Sequence, residues 1–347
     1  MNAYVLHEPN KISFEQVAMP RLSKGEVLVE VKACGICGSD IPRAYQTGAH
    51  VHPLVIGHEF SGVVAALGEG VDEKWLGKRV GIFPLIPCGE CGPCKNKQFE
   101  MCRNYSYLGS RRDGGFAEYV AVPQENLIEL PAEVSFEEAA MLEPMAVAVH
   151  AMRGIGVQAS DSVAICGMGT IGLLLLMFLK EMGVEDLYVI GNKESQKKNA
   201  ILAGIEEDNF CDTRLNDSEK WLMEKTENKG VDVFFECVGK NETVLQAVNM
   251  TKPAGKIMLV GNPYSDMHLE KAVYWKILRN QLTLKGTWNS SFTHEESDDW
   301  HYVLQRMKEK KVEPAKLISH RFALEDLEKG LEIMRDKTED YVKIMIE

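Results

Sequence analysis

The sequence predicts an α/β protein with two domains, one rich in β-strands and one built on a parallel sheet. Up to about residue 145, β-branched runs such as "EVLVEVKAC" and "EFSGVVAAL" are bounded by Gly, Pro and Asp, a pattern typical of short strands. From about residue 150, short apolar runs alternate with helical stretches, which indicates βαβ units. A chain of 347 residues also favours two domains over one.

Individual elements of the second part can be placed from their patterns. The run "DSVAIC" predicts a buried strand that leads through "GMGTIG" into a helix over 170–182. Further strands are predicted at "DLYVI", "VDVFFECV", "GKIMLVG" and "LTLKGTW", with helices over 194–203 and 242–250. After residue 290 we expect helices over 299–311 and 324–335 and a last strand at "YVKIMIE".

Composition excludes several classes of protein. The net charge of −12 would repel nucleic acid, and no dense run of Lys and Arg is present. The longest apolar run extends only from Ile171 to Leu179, which is too short to cross a membrane. The N-terminus lacks the apolar segment of a secretion signal. We therefore expect a soluble, cytoplasmic protein that binds neither nucleic acid nor membrane.

Four cysteines lie close together in "CGECGPCKNKQFEMC", and they predict a metal site. The total of nine cysteines is odd, and the cytosol keeps thiols reduced, so disulfides are disfavoured. Short spacings with Gly and Pro between the thiols suit one tetrahedral zinc ion. An iron–sulfur cluster is the alternative, but the ferredoxin motif has its fourth cysteine after three residues and then proline. Here the gap is seven residues, and zinc is favoured; the candidate ligands are Cys88, Cys91, Cys94 and Cys102.

A dinucleotide-binding motif occupies the turn between the predicted strand and helix at 163–182. Gly167 permits a tight turn, Gly169 lets a pyrophosphate approach the backbone, and Gly172 lets the helix pack closely on the strand. Thr170 and Ile171 open the helix whose N-terminus would face the pyrophosphate. We expect a nicotinamide cofactor here.

Later residues complete the predicted cofactor site. An acidic residue usually ends the second strand of an NAD site, but this chain has Gly191, Asn192 and Lys193 there. Because no carboxylate at this point repels a 2′-phosphate, NADP(H) is favoured over NAD(H). Lys193 could pair with that phosphate, with Lys197 as a second cation. We also assign Gly261 and Trp288 to this site, although Trp288 could equally pack at a sheet edge or a subunit contact.

A second candidate metal site lies upstream of the four cysteines. Cys37 and His58 are zinc-competent, and Asp40 could orient His58. Glu59 and Glu143 are nearby acids in "IGHEFSG" and "MLEPMAVAVH". Without other evidence, a cysteine and a histidine at this spacing more often have a structural role than a catalytic one. Beside a nicotinamide site they favour a catalytic zinc with an open position, which would polarise an alcohol or carbonyl oxygen.

These motifs together resemble the zinc-dependent medium-chain dehydrogenase/reductase family from end to end. The family signature is matched by residues of one segment, Gly57, His58, Glu59, Gly62, Gly68 and Val71. Glu143 stands where classical alcohol dehydrogenases have a cysteine, as in the polyol branch. The resemblance implies a GroES-like catalytic domain (1–147 and 289–347) and a doubly wound Rossmann domain (148–288).

The resemblance also implies roles for the candidate residues. Cys37, His58 and Glu143 would hold the catalytic zinc, and Glu59 would lie beside it or exchange onto it. Ser39 occupies the proton-relay position, but Pro42 stands near the point where a relay histidine often occurs. The four-cysteine loop would hold a structural zinc. Homodimers or homotetramers formed through the Rossmann sheet edge are usual in this family.

The segment "GSRRDGGF" raises the question of the substrate. Arg111 and Arg112, with Arg43 near the catalytic cysteine, could bind a phosphate. Salt bridges to Asp113 or to the acidic surface are the alternative. The resemblance favours oxidation of a polyol phosphate to a ketose phosphate. Other possible activities are oxidation of a free polyol, threonine or a simple alcohol; a non-enzymatic NADPH-binding regulator and an iron–sulfur redox protein are also considered.

Overall fold

The computed structural model describes every residue of the chain except Tyr264. The strands are β1 (Asn2–Glu8), β2 (Lys11–Gln16), β3 (Glu26–Ile36), β4 (Leu54–Val55), β5 (Glu59–Leu67), β6 (Arg79–Ile82), β7 (Leu85–Ile86), β8 (Ser106–Tyr107), β9 (Tyr119–Pro123), β10 (Leu127–Glu129), β11 (Val163–Cys166), β12 (Leu187–Gly191), β13 (Phe210–Asp212), β14 (Val231–Glu236), β15 (Thr251–Leu259), β16 (Thr283–Gly286), β17 (Ile318–Phe322) and β18 (Lys343–Ile346). The α-helices are α1 (Asp40–Tyr45), α2 (Gly92–Lys95), α3 (Phe136–Ala140), α4 (Leu142–Ile155), α5 (Thr170–Glu181), α6 (Glu194–Leu202), α7 (Ser218–Lys225), α8 (Asn241–Met250), α9 (Lys271–Arg279), α10 (Asp299–Lys308) and α11 (Leu327–Asp336).

The first of two compact units consists of Met1–Ala146 and Ser290–Glu347 and is rich in strands. Its largest sheet has the order β10-β6-β5-β3-β18-β17, and β9 also pairs with β3. Smaller sheets are β2-β1-β4 and β7-β8. Apolar side chains from the two larger sheets share one core, which includes Leu6, Val29, Phe60, Val80 and Ile344. Because β18 pairs with β3, the C-terminal strand lies beside the segment that leads to Cys37.

The second unit, Val147–Asn289, contains a six-stranded sheet of order β13-β12-β11-β14-β15-β16. All its pairings are parallel, and the chain starts at the centre and winds outward in both directions. Its central strands bury apolar runs, as expected when helices cover both faces. The predicted α/β class, with a doubly wound parallel sheet and a separate β-rich region, is confirmed.

The carboxyl ends of the six parallel strands lie on one edge of the sheet, where doubly wound folds bind their ligands. The predicted cofactor residues Gly167, Asn192 and Gly261 follow β11, β12 and β15 at this edge. Among the described residues, no helix combines the length and apolar character needed to cross a membrane.

Candidate active site and metal centres

The antiparallel pairing of β3 with β5 brings Cys37 and His58 together. Gly35 pairs with Glu59, so Cys37, just after β3, lies near His58, just before β5. One ligand atom from each of Cys37, His58 and Glu59 lies within 4.8 Å of the other two. His58 and Glu59 are buried, and Cys37 is partly exposed. A thiol, an imidazole and a carboxylate at this separation form a donor set that suits zinc.

Charged neighbours surround the Cys37–His58 pair. Oδ1 of buried Asp40 lies 3.5 Å from Nδ1 of His58 and accepts a 2.6 Å hydrogen bond from Arg43. The backbone N–H of Cys37 donates to the other oxygen of Asp40, at 3.0 Å. Burial opposes a charge on His58, but Asp40 and Cys37 raise the pKa of His58 well above its ordinary value. The pocket therefore favours a cation, and a zinc ion fits the residues that line it.

Glu143, at the start of α4, lies close to this set without joining the three-residue cluster. Its Oε1 accepts a 3.2 Å hydrogen bond from the Tyr107 hydroxyl. The Tyr107 ring in turn packs edge-on against the His58 ring, with the centroids 5.8 Å apart. Burial raises the pKa of Glu143 to about 7, and the charge of His58 opposes that rise. Glu143 is thus a buried carboxyl beside the pocket, outside the cluster formed by Cys37, His58 and Glu59.

Ser39 lies at the partly exposed side of the same pocket. Its hydroxyl donates a hydrogen bond to Sγ of Cys37, at 3.4 Å. The structure therefore brings the predicted relay residue into contact with the predicted metal ligand.

Sequence reasoning missed Lys343, which completes the charged surroundings. Nζ of Lys343 donates to Oε2 of Glu59 at 2.5 Å and to the carbonyl oxygen of Ile36 at 3.1 Å. Every residue of β18 is buried, and Lys343 is its one charged member. A lysine in an apolar run near the C-terminus was the available signal, but the sequence does not show its partner.

The four cysteines of the 88–102 loop converge on one point. Three pairs of sulfur atoms lie 3.4–3.9 Å apart, and all four lie within 4.8 Å of one another. Zinc–sulfur bonds of about 2.3 Å in a tetrahedron imply sulfur–sulfur distances of about 3.8 Å. The spacing leaves room for one ion and none for a multi-iron cluster, so the loop is compatible with a structural zinc. The backbone N–H groups of Arg103 and Cys94 lower the pKa of Cys91 to about 6, which favours the thiolate.

The glycine motif forms the expected strand–turn–helix. Gly167 has φ +100°, in the left-handed region, directly after β11. A Cβ at Gly172 would lie 2.0 Å from the carbonyl oxygen of Gly167, so close packing of α5 on the strand requires glycine. A Cβ at Gly169, before Thr170 and Ile171 of α5, would meet no protein atom within 4 Å. Protein packing does not demand glycine there, which fits a surface kept clear for a pyrophosphate.

The end of β12 presents Asn192 and Lys193, which precede α6. Beside them, Gly191 pairs with Asp212 at the end of β13. Arg214 binds this carboxylate through Nε, at 2.9 and 3.1 Å from its two oxygens, and Nη2 also contacts it. Nη2 of Arg214 also lies 3.9 Å from Glu194. Sequence reasoning missed Arg214, because only the sheet pairing places it beside residue 192.

Two other predicted cofactor residues follow later strands. Gly261 comes after β15, and its N–H donates to the carbonyl oxygen of Glu236 at 2.9 Å. The same Glu236 accepts hydrogen bonds through its side chain from Val238 and Gly239, so it organises the turn beside Gly261. Trp288 follows β16 and is 55% exposed.

Two of the three predicted substrate arginines lie near the candidate metal centre. Arg43 contacts Asp40, as described above. Arg111 stacks on the Tyr105 ring, with its guanidinium carbon 4.4 Å from the centroid, and that ring packs against Tyr107. Burial and the positive charges of Arg111 and Arg43 lower the pKa of His50. His50 therefore lies near both guanidinium groups, which disfavour a positive charge on its imidazole.

The third predicted substrate arginine, Arg112, lies away from the candidate metal centre. Nη2 of Arg112 lies 2.5 Å from Oε1 of Glu26, at the opposite end of β3 from Cys37. Arg112 also lines a separate cleft of about 200 Å³ together with Met1, Arg21 and Asp113. Asp113 accepts the backbone N–H of Val55. The structure thus does not bring Arg112 to the metal centre.

Comparisons with known families agree with this arrangement. Residues 23–132 match the family model "Alcohol dehydrogenase GroES-like domain", and residues 170–309 match "Zinc-binding dehydrogenase". The chain is 34% identical over 301 residues to galactitol 1-phosphate 5-dehydrogenase of Escherichia coli (strain K12), covering 86% of each chain. It belongs to the zinc-dependent medium-chain alcohol and polyol dehydrogenases. The predicted family, fold and enzyme class are therefore confirmed, including the GroES-like domain and the Rossmann-like sheet.

Other members of this dehydrogenase family are also similar to the chain. It is 32% identical to (R,R)-butanediol dehydrogenase of Bacillus subtilis (strain 168), covering 100% of this chain and 99% of that protein. The crystal structure of galactitol-1-phosphate dehydrogenase from Escherichia coli superposes with a TM-score of 0.92 at 31% identity, covering 100% and 99% of the two chains.

Two related structures hold nicotinamide cofactors. A zinc-binding dehydrogenase from Sinorhizobium meliloti 1021 bound to NADP has a TM-score of 0.90 at 28% identity, covering 99% and 98%. A dehydrogenase from E. coli CFT073 complexed with NADH has a TM-score of 0.91 at 27% identity, covering 100% and 98%. Both cofactors thus occur among relatives of this dehydrogenase.

Proposed function

We propose that this dehydrogenase oxidises a secondary alcohol of a sugar-alcohol phosphate to the corresponding ketose phosphate with NADP(H). The observation that carries the proposal is the pair of guanidinium groups of Arg43 and Arg111 beside the Cys37–His58 pocket. Guanidinium groups bind phosphate through paired, charge-assisted hydrogen bonds. A phosphate held there would bring the hydroxyl groups of a short polyol to the metal centre.

The residues of the pocket would have different roles in the reaction. Cys37, His58 and Glu143 would hold the zinc ion, which when bound lowers the pKa of an alcohol oxygen. Asp40 orients His58 and the Cys37 backbone. Ser39, partly exposed and in contact with Cys37, would pass the alcohol proton toward solvent. We assign this work to a domain comprising residues 1–147 and 289–347, and cofactor binding to residues 148–288.

The cofactor assignment is supported by the charges at the ends of β12 and β13. No acid stands at positions 191–193, and Arg214 lies beside this turn with its guanidinium half exposed. Gly167, Gly169 and Gly172 form the turn for the pyrophosphate, next to the N-terminus of α5. We therefore assign NADP(H) as the preferred cofactor, with Gly261 and Trp288 near its nicotinamide half.

We further propose that the protein acts as a homodimer or homotetramer in the cytoplasm. Edge strand β16 is exposed along its whole length, and nearby apolar side chains are about half exposed: Tyr274, Trp275, Leu278 and Trp288. An exposed edge strand with an apolar surface favours pairing with a second copy. All nine cysteines are free, as a reducing compartment requires. Sedimentation equilibrium would measure the assembly.

A substrate panel tests the proposed activity. Zinc-loaded protein would be assayed with hexitol and pentitol phosphates, the free polyols and 2,3-butanediol, each with NADP⁺ and NAD⁺, by absorbance of the reduced nicotinamide. We expect kcat/KM for a phosphorylated polyol to exceed that for its free form by about 100-fold or more, because two arginines would contact the phosphate. A free diol oxidised at least as efficiently would assign the protein to the butanediol type and overturn the phosphate proposal.

A further inference from the structure

The buried pair of Lys343 and Glu59 lies at the candidate metal centre and has no part in the proposed reaction. Nζ of Lys343 donates to Oε2 of Glu59 and to the carbonyl oxygen of Ile36. The two side chains are only 3% and 2% exposed. A buried ion pair gains little stability over apolar residues of similar size, because both charges lose their hydration. A task at the metal centre therefore explains the pair better than stability does.

Neighbouring residues leave space for this pair. Gly35 of β3 faces Glu59 of β5, and a Cβ at Gly35 would lie 2.4 Å from Oε2 of Glu59 and 3.3 Å from Cδ of Lys343. Lys343 begins β18, whose next residue, Ile344, pairs with Ile36. Three strands thus hold the ammonium and the carboxylate in one arrangement.

The position of Glu59 exposes its carboxylate to two attractions. One of its oxygens lies within 4.8 Å of ligand atoms of both Cys37 and His58, so a cation held by that pair would attract it. The Lys343 ammonium, which also donates to the carbonyl oxygen of Ile36, attracts the same carboxylate and so competes with the metal for it. The balance between these attractions decides whether Glu59 occupies a coordination position.

We propose that Lys343 is a positioning residue that restrains Glu59 from binding the catalytic metal and so keeps one coordination position open for substrate. The proposal rests on the proposed zinc site of Cys37 and His58. It goes beyond that site because it assigns a role to β18: through Lys343, this strand would determine how many protein ligands the zinc ion has.

The first test measures how tightly zinc is held, without any substrate. Zinc release from Lys343→Met, Lys343→Arg, Glu59→Gln and the Glu59→Gln/Lys343→Met double variant would be followed with a chromogenic chelator. A Cys37→Ser variant identifies which phase of release belongs to this site. We expect Lys343→Met to release this zinc about tenfold or more slowly, because Glu59 becomes an additional ligand, while Lys343→Arg releases it as the native protein does.

The double variant separates ligand binding from a simple effect of charge. Loss of the ammonium charge alone would slow release by the same factor whether or not Glu59 is present, so the effects of the two substitutions would add. Under the proposal the slowing requires Glu59, and the double variant releases zinc within about threefold of the native rate. Additive effects, or unchanged or faster release from Lys343→Met, would overturn the proposal.

A spectroscopic measurement uses Co²⁺ as the probe of coordination. In cobalt-substituted Lys343→Met the visible absorption from this site should weaken, because an added oxygen ligand moves the ion away from tetrahedral coordination. Lys343→Arg and the double variant should keep the native spectrum. If Lys343→Met does not fold, the double variant still decides: release more than about tenfold faster than native would mean that Glu59 is already a ligand, contrary to the proposal. Zinc loss from every protein including the native one would instead refute the zinc site on which the proposal rests.

Discussion

The two candidate metal centres of this dehydrogenase differ in where their ligands come from and in what surrounds them. The four sulfur atoms of the 88–102 loop come from fifteen consecutive residues and close around one point. The other centre brings the candidate ligands Cys37 and His58 together from two strand ends, with Glu59 next to them. Lys343, the partner of Glu59, lies 284 residues after Glu59 in the chain. A complete set of four thiolates leaves no position for substrate, whereas a mixed set can leave one.

The groups that surround the two metal centres also differ. At the loop, backbone N–H groups stabilise the Cys91 thiolate. At the mixed centre, full charges on Asp40, Arg43 and Lys343 lie around the ligands, buried or nearly so. Backbone donors suffice to hold a metal permanently, while side-chain charges can adjust the properties of a metal that takes part in a reaction.

The largest expected effect comes from Cys37→Ser. The variant should bind one zinc per chain in place of two and lose about a thousandfold in kcat/KM, because several kcal/mol of stabilisation from the metal disappear. Metal content by mass spectrometry and initial rates would measure both. Cys34→Ala is the matched control, since this buried thiol lies in β3, three residues before Cys37, and outside the cluster. A Cys37→Ser protein with two zinc ions and native activity would contradict the assignment of this centre.

Cys91→Ser should lower the stability of the protein, whereas Cys37→Ser should lower its catalytic activity. Loss of the loop zinc is expected to lower the unfolding temperature by about 5–10 °C, or about 2–4 kcal/mol for a unit of this size. Activity per folded molecule should change much less. Thermal unfolding followed by circular dichroism would measure the shift, with Glu90→Ala as the control for an exposed side chain of the same loop. A loss of activity without a loss of stability would mean that the two centres do not divide their tasks.

Arg111→Ala should raise KM for a phosphorylated substrate by about 10-fold to 100-fold, the value of one charge-assisted contact, and leave KM for the free polyol nearly unchanged. Arg111 is a cleaner test than Arg43, whose removal would also disturb Asp40 and His58. Arg112→Ala removes the adjacent guanidinium, which is bound to Glu26, and should change neither KM. Equal effects of the two substitutions would refute phosphate binding at Arg111.

Local motifs explain how much of this protein could be predicted from sequence. The four-cysteine loop and the Gly167–Gly172 turn were predictable because their geometry depends on residues a few positions apart. The pairing of strands creates contacts between residues far apart in the chain, which the sequence did not indicate. Lys343 reaches Glu59 only because β18 pairs with β3, and Arg112 pairs with Glu26 in preference to the adjacent Asp113.

Elements were missed for similar reasons. Helix α9 packs Val273 and Ile277 on the core of its unit but leaves Tyr274 and Trp275 about half exposed, so its apolar residues do not follow one buried face. Strand β13 has only three residues, too few for a periodic pattern, yet its end carries Asp212 and leads to Arg214. The part of the proposed cofactor site that would distinguish NADP from NAD therefore combines residues after β12, which the sequence motif indicates, with Arg214, whose position follows only from the order of the strands.

The smallest expected effect follows from that pairing and concerns Arg214. Asp212 accepts three contacts from the Arg214 side chain and fixes it beside Asn192, and these hydrogen bonds lower the pKa of Asp212 to about 2. Arg214→Gln should weaken binding of 2′,5′-ADP about tenfold, measured by calorimetry, and leave 5′-AMP unaffected, because only the former carries the 2′-phosphate. The difference should shrink at high salt, since the guanidinium is half exposed. Lys197, which the sequence predicts as a second cation for this phosphate, already pairs with Glu207 at 2.6 Å, so Lys197→Met should change neither affinity and serves as the comparison. If Arg214→Gln weakens both nucleotides equally, Arg214 supports the turn without reading the phosphate, and the absence of an acid after β12 alone must account for any preference for NADP(H).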